Sequence, residues 1–458
     1  MFSTNAIAEY LNIAYQGPEY FFKRVCTDSR EVHSGDLFIA LVGEKFDGHE
    51  FIQSVIAKGA LGVVISKDMP LDAKVAKFLV KDTLSAYQQL ARAHRRSMRN
   101  LKVIGITGST GKTSTKDILS CCLAKKYHVV KNHANFNNEI GLPKTVLEIQ
   151  DDTEIAVVEM GMRGLGQIRQ LSSIARPDSA IITNVGVTHI ELLGSQENIA
   201  LAKSEILESI NANGYAVLNG DDEYTLKMGE KCQGQVFYFG IKDTNDYYAT
   251  DIRMSTSGTD FMCTEKLTGK RVNVHIPLLG LHNVYNTLAA LAMSVCCGMD
   301  VAEAARAVRE VTLSEHRLEI VEQQGITFID DSYNASPTSM KAALDTLLMV
   351  KNGCDRSLRC RSIAVLADML ELGELSKEEH IKIGEYCQKT KVDYVFAFGE
   401  KAVDIYQKAK QLGLKAQYAH TIREITKSLS HVLRPGDVVL LKGSHSMQVN
   451  KVMELLNE

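Results

Sequence analysis

The sequence predicts an α/β protein of three domains built on parallel sheets. Three observations carry that expectation. The chain has 458 residues, and at about 150 residues per domain the prior is three. Its apolar fraction of 45% and charged fraction of 23% match a folded globular chain and exclude a disordered, fibrous or coiled-coil protein. Short apolar runs alternate with helical patterns along most of its length. That is the pattern of strands buried on both faces under crossover helices.

The elements follow in order. Asp36 to Gly43 reads as a strand, Phe51 to Lys58 as a helix and Gly59 to Ile65 as the next strand, a β-α-β signal. Thr83 to Met98 is helical and ends in Arg92, His94, Arg95 and Arg96. A solvated helix end explains that cluster better than a DNA contact, because cations suit helix C-termini. Strands are expected at 101–107, 155–158, 179–183 and 215–218, with a helix from Asn198 to Ile210. Residues 232–277 suggest a small antiparallel piece, and an Ala-rich helix runs from Val284 to Cys297, ended by Gly298. A third α/β unit begins near Ile320, with strands at 326–329, 362–366, 394–398 and 438–441. Boundaries near residues 99 and 313 give domains 1–99, 100–312 and 313–458.

Composition narrows the function. Lys+Arg is 52 and Asp+Glu 55, a net charge of -3, so no nucleic-acid partner is expected. The ten Cys show no C-x-x-C spacing, which argues against thiolate zinc and dithiol redox chemistry. They read as buried, reduced residues of a reducing compartment. The segment MFSTNAIAEY lacks signal-peptide features, and no uncharged apolar stretch reaches 18 residues. A cytoplasmic monomer without a transmembrane segment is expected.

Gly105-Ile106-Thr107-Gly108-Ser109-Thr110-Gly111-Lys112-Thr113-Ser114 carries the chemistry. It follows a strand and opens a helix, as a phosphate loop must. Glycines let backbone N–H groups turn toward phosphate oxygens, and the helix start adds further donors and positive potential. Lys112 can reach the β/γ-phosphates and Thr113 can ligate Mg²⁺. The strict phosphate-loop pattern wants Gly at Ile106, so the loop is a variant. No N-K-x-D is present to read guanine. Glu159 ends the strand at 155–158 and is placed to serve Mg²⁺; an ordinary strand-end carboxylate is the plain alternative.

Other residues are weaker alone. His189 and Glu191 on a strand-end loop could hold a second cation, although a lone His is more often structural. Two cations would suit two anions brought together. Lys203 starts a helix and by itself reads as a solvated residue. Lys131 to Pro143 is dense in Asn, which suits a sugar or phosphate ligand and equally a turn and N-cap cluster.

At this point the chain resembles the Mur ligase family. The resemblance rests on TGSTGKTS, NFNNEIGLP, THIELLGSQENIALAKSEI, His282-Asn283 and HRLE at 316–319. Thr27-Asp28-Ser29-Arg30 and SGDLFIALVGEKFDGHEFI extend it into the N-terminal region. EMGMRGLGQI (159–168), DDSYNASPTSM (330–340) and LADMLELGE (366–374) resemble the member that acts last, and the Asp-Asn-Pro-Arg of the third step is missing. The resemblance implies an N-terminal UDP-binding domain, a central phosphate-loop ATPase domain and a C-terminal Rossmann-like domain. It implies ATP-dependent joining of D-alanyl-D-alanine to UDP-N-acetylmuramoyl-tripeptide, with ATP and two Mg²⁺ ions. By the same resemblance Gly108 to Ser114 hold ATP, with Lys112 on the phosphates, while Thr113 and Glu159 hold one Mg²⁺ and His189 the other. Lys203 corresponds to the family's carbamylated lysine. Asn283 would read adenine, and Arg317 and Asp331 the ribose or phosphates. Ser29 and Arg30 would face UDP, Asn135, Asn137 and Asn138 the sugar nucleotide, and Asn334 the substrate. Closure of the domains around the reactants is implied. Two positions depart from the family pattern: Ala367 stands where Gly is expected and His445 where Arg is expected. The alternatives are a third-step Mur ligase, a folylpolyglutamate-type ligase and a non-catalytic nucleotide-binding scaffold.

Overall fold

The computed structural model describes residues 2–133, 135–314, 316–353 and 360–457. Ala134 of the asparagine-rich loop and Cys354 lie outside the described residues. Packing divides the chain into two compact units: residues 1–105, 127–162 and 166–179 form one, and 106–126, 163–165 and 180–458 the other. The fold is α/β with parallel sheets, as expected.

In the first unit, helix Thr4–Leu11 is capped by the Ser3 hydroxyl, which accepts from Ala6 N–H. A parallel sheet follows in the order Val25–Cys26, Leu37–Ile39, Gly62–Ile65, Ala76–Leu79. Its central strands are wholly buried because helices cover both faces. Helix Thr83–Ser97 starts at Asp82, whose carboxylate accepts from Leu84 and Ser85 N–H. Its basic end is structural. Arg95 pairs with Asp178 at 3.0 Å and donates to Ala175 O, and His94 meets Ile149 O at 2.9 Å. Strands Val129–Lys131 and Ile155–Glu159 pair in parallel, the second ending at Glu159.

In the second unit, strand Tyr215–Asn219 pairs in parallel with Gln235–Gly240, which pairs in parallel with Tyr247–Ser255. Only Tyr247–Ser255, Gly258–Glu265 and Lys270–Ile276 form an antiparallel meander. The piece expected to be antiparallel at 232–277 is therefore antiparallel only in its last three strands. Alternation reports burial, not direction. The direction is set by the link after Gly240, where Asp221 accepts from Ile241 N–H and Asp246 from Tyr238 N–H. Helix Leu281–Cys296 packs on helix Lys112–Leu123.

The C-terminal sheet has six strands in the order Glu319–Gln323, Ile326–Asp330, Val438–Lys442, Ser362–Ala367, Tyr394–Phe398, Lys415–Ala419. All pairs but the first are parallel. One face buries Leu344, Leu347, Ile383 and Ile405, and the other Ile425, Leu429 and Val452. Each such side chain contributes about 1.5–3 kcal/mol. Ala367, the first departure from the family pattern, is fully buried against Gly443, where a Cβ would lie 2.7 Å from its own. Among the described residues, no helix is long and apolar enough to cross a membrane.

Candidate active site

Strand Lys102–Thr107 feeds a loop that turns into helix Lys112–Leu123. The turn needs glycine twice. Gly108 has φ +148, and a Cβ there would lie 1.9 Å from Thr183 Oγ1. Gly111 has φ +82, and its Cβ would lie 2.4 Å from Asn286 Oδ1. Asn184 holds the loop from beside it: its Oδ1 accepts from Thr110 N–H at 3.0 Å and its carbonyl from Ser109 N–H at 2.9 Å. Thr183 donates to Thr110 O at 2.5 Å. Lys112 bends back over the loop and donates to Gly108 O at 2.8 Å. Thr113 and Ser114 are buried in the helix's first turn. A glycine turn, a helix N-terminus and one ammonium thus stand together, the groups that suit phosphate oxygens.

The loop is joined by residues of the C-terminal sheet region. Arg317 Nη2 donates to Thr113 Oγ1 at 2.9 Å, and its guanidinium lies 4.0 Å over the Tyr333 ring. The His445 ring, the second departure from the family pattern, lies 5.6 Å from the Tyr333 ring and is tilted 48° to it. Asp331 pairs with the buried Lys442, which also donates to Asn334 O at 3.0 Å. Ser314 donates to Asp117 from N–H at 3.0 Å and from Oγ at 2.7 Å.

A cavity of about 450 Å³ lies beside this group. Leu278, Leu279, Val311 and Leu318 give it apolar walls, and its polar groups include Asn283, Ser314, Arg317 and Glu319. Apolar walls with a few polar groups suit a flat heteroaromatic ring. Asn283 is buried, its amide donates to Leu279 O at 2.9 Å and its Oδ1 accepts from Asn286 at 3.1 Å. Burial pushes the neighbouring His282 down to about 4, and its Nδ1 has no hydrogen-bond partner.

Lys203 corrects two expectations. It lies in the last turn of helix Gln196–Ser204, not at a helix start, because Ser195 caps that helix seven residues earlier than a start at 203 would require. It is 2% exposed, not solvated. Burial, then the charge of Lys112, hold its amine well below the ordinary lysine range. His189 is the left-handed cap of the short helix Ile190–Leu193, with φ 68. Its Nδ1 makes an ion-pair contact with Glu371, which also pairs with Arg163. His189 first, and Arg163 against the opposing effect of burial, hold the Glu371 carboxyl down at about 2.

In the first unit, Glu159 is 3% exposed, and its Oε1 accepts from Asn137 Nδ2 at 2.7 Å. Asn138 Oδ1 accepts from Gly141 N–H at 2.8 Å in the turn before helix Gly141–Glu148, while Asn135 is exposed. The asparagine loop thus contains a turn former, a carboxylate partner and an open side chain. Arg30 is exposed and lies along Asp28, and Ser29 O accepts from Lys58 Nζ at 2.7 Å.

Lys112, Thr113, Lys203, His189, Asn283, Arg317, Asp331 and Asn334 all fall in the second unit; Ser29, Arg30, Asn135, Asn137, Asn138 and Glu159 fall in the first. The Thr113 hydroxyl in the second unit and the Glu159 carboxylate in the first are each buried, hard oxygen donors of the kind Mg²⁺ takes. Sequence reasoning missed Asn184, Asn286, Asp117, Tyr333 and Glu371. Tyr333 and Glu371 stood inside quoted motifs; the others carried no local signal.

Three family descriptions match the chain in succession: the Mur ligase family catalytic domain over residues 22–95, the Mur ligase middle domain over 106–294 and the Mur ligase glutamate ligase domain over 316–445. The chain is 37% identical to UDP-N-acetylmuramoyl-tripeptide–D-alanyl-D-alanine ligase of Bacillus subtilis, across 99% of this chain and 97% of that one. It superposes on MurF from Acinetobacter baumannii with a TM-score of 0.90 at 30% identity, covering 100% of this chain and 99% of the other. MurF ligase from Thermotoga maritima, solved in complex with ADP, gives 0.82 at 30% identity, covering 94% and 96%.

Proposed function

The chain belongs to the Mur ligase family, and on that premise we propose that it joins D-alanyl-D-alanine to UDP-N-acetylmuramoyl-tripeptide, converting ATP to ADP and phosphate. The product is the pentapeptide precursor of peptidoglycan. The observation that carries the reading is Lys203: a second amine, buried, which burial first and the charge of Lys112 second hold well below the ordinary lysine range. A plain nucleotide hydrolase needs only the loop lysine.

The chemistry runs in two steps. A tripeptide carboxylate oxygen attacks the γ-phosphorus of ATP, and the bond to ADP breaks. The amine of D-alanyl-D-alanine then attacks the acyl phosphate, the C–O bond to phosphate breaks and the amine loses a proton. The protein's task is to hold anions together and neutralise them, which is positioning plus electrostatic stabilisation. Lys112 and the residues Gly108 to Ser114 hold the phosphates, with the helix start at Gly111 to Ser114 supplying the amides. Arg317, stacked on Tyr333, meets the nucleotide beside Thr113, and Asp331 and Asn283 hold the ribose and the base. Ser29 and Arg30 receive UDP, with Asn135, Asn137, Asn138 and Asn334 on the rest of the sugar-peptide substrate. Thr113, Glu159 and His189 would hold two Mg²⁺ ions, which when bound neutralise charge between the reacting anions. A neutral Lys203 amine would add to CO₂ and release a proton to solvent, so that a buried amine becomes an anionic, carboxylate-like oxygen donor.

On this reading residues 1–99 bind the UDP-sugar, 100–312 bind ATP and 313–458 complete the ligase site. The enzyme acts as a monomer in the cytoplasm. The test is phosphate release with ATP, Mg²⁺, UDP-N-acetylmuramoyl-tripeptide and D-alanyl-D-alanine, omitting one component at a time. Release that needs both organic substrates supports the reading, and repeating it with lysine- and diaminopimelate-containing tripeptides identifies the acceptor. Release with single amino acids in place of the dipeptide refutes it.

A further inference from the structure

Two of the segments that carry the family resemblance contain charged residues with no part in the chemistry above: Arg163 of EMGMRGLGQI and Glu371 of LADMLELGE. They meet at His189. One Glu371 oxygen contacts His189 Nδ1 and the other contacts Arg163 Nη2. The contact is substantially shielded, with the His189 and Glu371 side chains 20% and 27% exposed. Both residues adopt left-handed backbones, φ 68 and φ 61. Non-glycine residues rarely do so, and persist there only where the surroundings impose it. The two backbones are also fastened. Glu191 N–H meets Glu371 O at 3.4 Å, and a Cβ on Gly373 would lie 3.2 Å from Glu191 Cα.

We propose that Glu371 is a positioning residue for His189. The inference rests on the reading of His189 as a cation ligand. A carboxylate at Nδ1 keeps the imidazole proton on that nitrogen and leaves the Nε2 lone pair as the ligating atom. Arg163 holds the second carboxylate oxygen, so Glu371 is gripped from both sides. His189 follows the strand Ser179–Ile182, whereas Glu371 follows Ser362–Ala367 of the C-terminal sheet. Cation binding at His189 therefore depends on the docking of the C-terminal sheet region against the His189 loop.

The test is a Mn²⁺ titration of the full chain, read by electron paramagnetic resonance, with a non-hydrolysable ATP analogue and the UDP-tripeptide present. Two ions are expected in the wild type. Glu371→Gln keeps size and backbone, and weakens the second ion by about 10–100-fold while leaving the first unchanged. Arg163→Ala leaves both ions near wild type, since the contact with His189 remains. His189→Ala removes the second ion. In turnover, Glu371→Gln raises the Mg²⁺ concentration for half-maximal rate and preserves kcat at saturating Mg²⁺. If His189→Ala loses the second ion but Glu371→Gln binds both normally, the positioning role is overturned and the ligand reading of His189 stands. If neither variant changes Mn²⁺ binding, both fall. If Arg163→Ala matches Glu371→Gln, the effect is one of general docking, and the positioning role is overturned.

Discussion

Gly108→Ala places a methyl group where the structure has none to spare. The added Cβ would lie 1.9 Å from Thr183 Oγ1, on a backbone at φ +148. An L-residue in a glycine conformation costs about 1–3 kcal/mol. Forcing an extra carbon into a packed site costs about 1–3 kcal/mol more. The sum is about 2–6 kcal/mol, drawn from stability or from the geometry of the loop. Because Thr183 donates to Thr110 O at 2.5 Å, it cannot swing away without giving up that bond and leaving the carbonyl to the longer one from Asn184 at 3.2 Å. The assay pairs urea unfolding with ADP binding for Gly108→Ala, Thr183→Ala and the double variant. The single glycine variant loses at least about 2 kcal/mol of stability, or roughly thirtyfold in ADP affinity. The double variant recovers about 1–3 kcal/mol of that loss, because the hydroxyl that clashed is gone. A Gly108→Ala protein within about 0.5 kcal/mol of wild type in both measurements refutes the reasoning, as do additive effects in the cycle.

Lys203→Gln keeps ADP binding and loses turnover by at least about a hundredfold, and wild-type turnover falls in CO₂-depleted buffer and returns with bicarbonate; unchanged rates in depleted buffer count against the carbamate. Arg317→Ala removes a charged hydrogen bond and a ring stack, together about 2 kcal/mol, so the KM for ATP rises roughly thirtyfold, and Arg317→Lys does not restore it. Tyr333→Ala shifts KM in the same direction by a smaller factor. His282 has a folded value of about 4 against an ordinary 6.5. The unfolded chain therefore binds the proton first as pH falls. The stability held by the neutral ring is fully present above about pH 6.5 and is lost toward pH 4, at most about 3 kcal/mol. Urea midpoints between those pH values should fall less steeply in His282→Gln.

Buried parallel strands were legible because both faces are apolar. Strands expected at 362–366, 394–398 and 438–441 stand at Ser362–Ala367, Tyr394–Phe398 and Val438–Lys442. The edge strands Glu319–Gln323 and Lys415–Ala419 gave no apolar run, since polar side chains occupy their open sides. The phosphate loop was legible because its glycines and lysine lie within a few consecutive residues. Lys203 was not, since Ser204 and Glu205 around it read as surface while the fold buries Lys203 and Glu205 alike. Glu371 could be quoted in a motif but given no role, because its meaning comes from His189, far away in the chain.

The bond from Ser314 to Asp117 has a mechanical consequence. Asp117 lies five residues into the helix that opens at the phosphate loop, about 7.5 Å along its axis from Lys112. It is buried, and it takes both donors of the residue that leads into the C-terminal sheet. The helix that opens at the phosphate loop and the entry to the C-terminal sheet are thus tied together at one buried carboxylate, so a tilt of that helix cannot leave Ser314 where it is without breaking two hydrogen bonds.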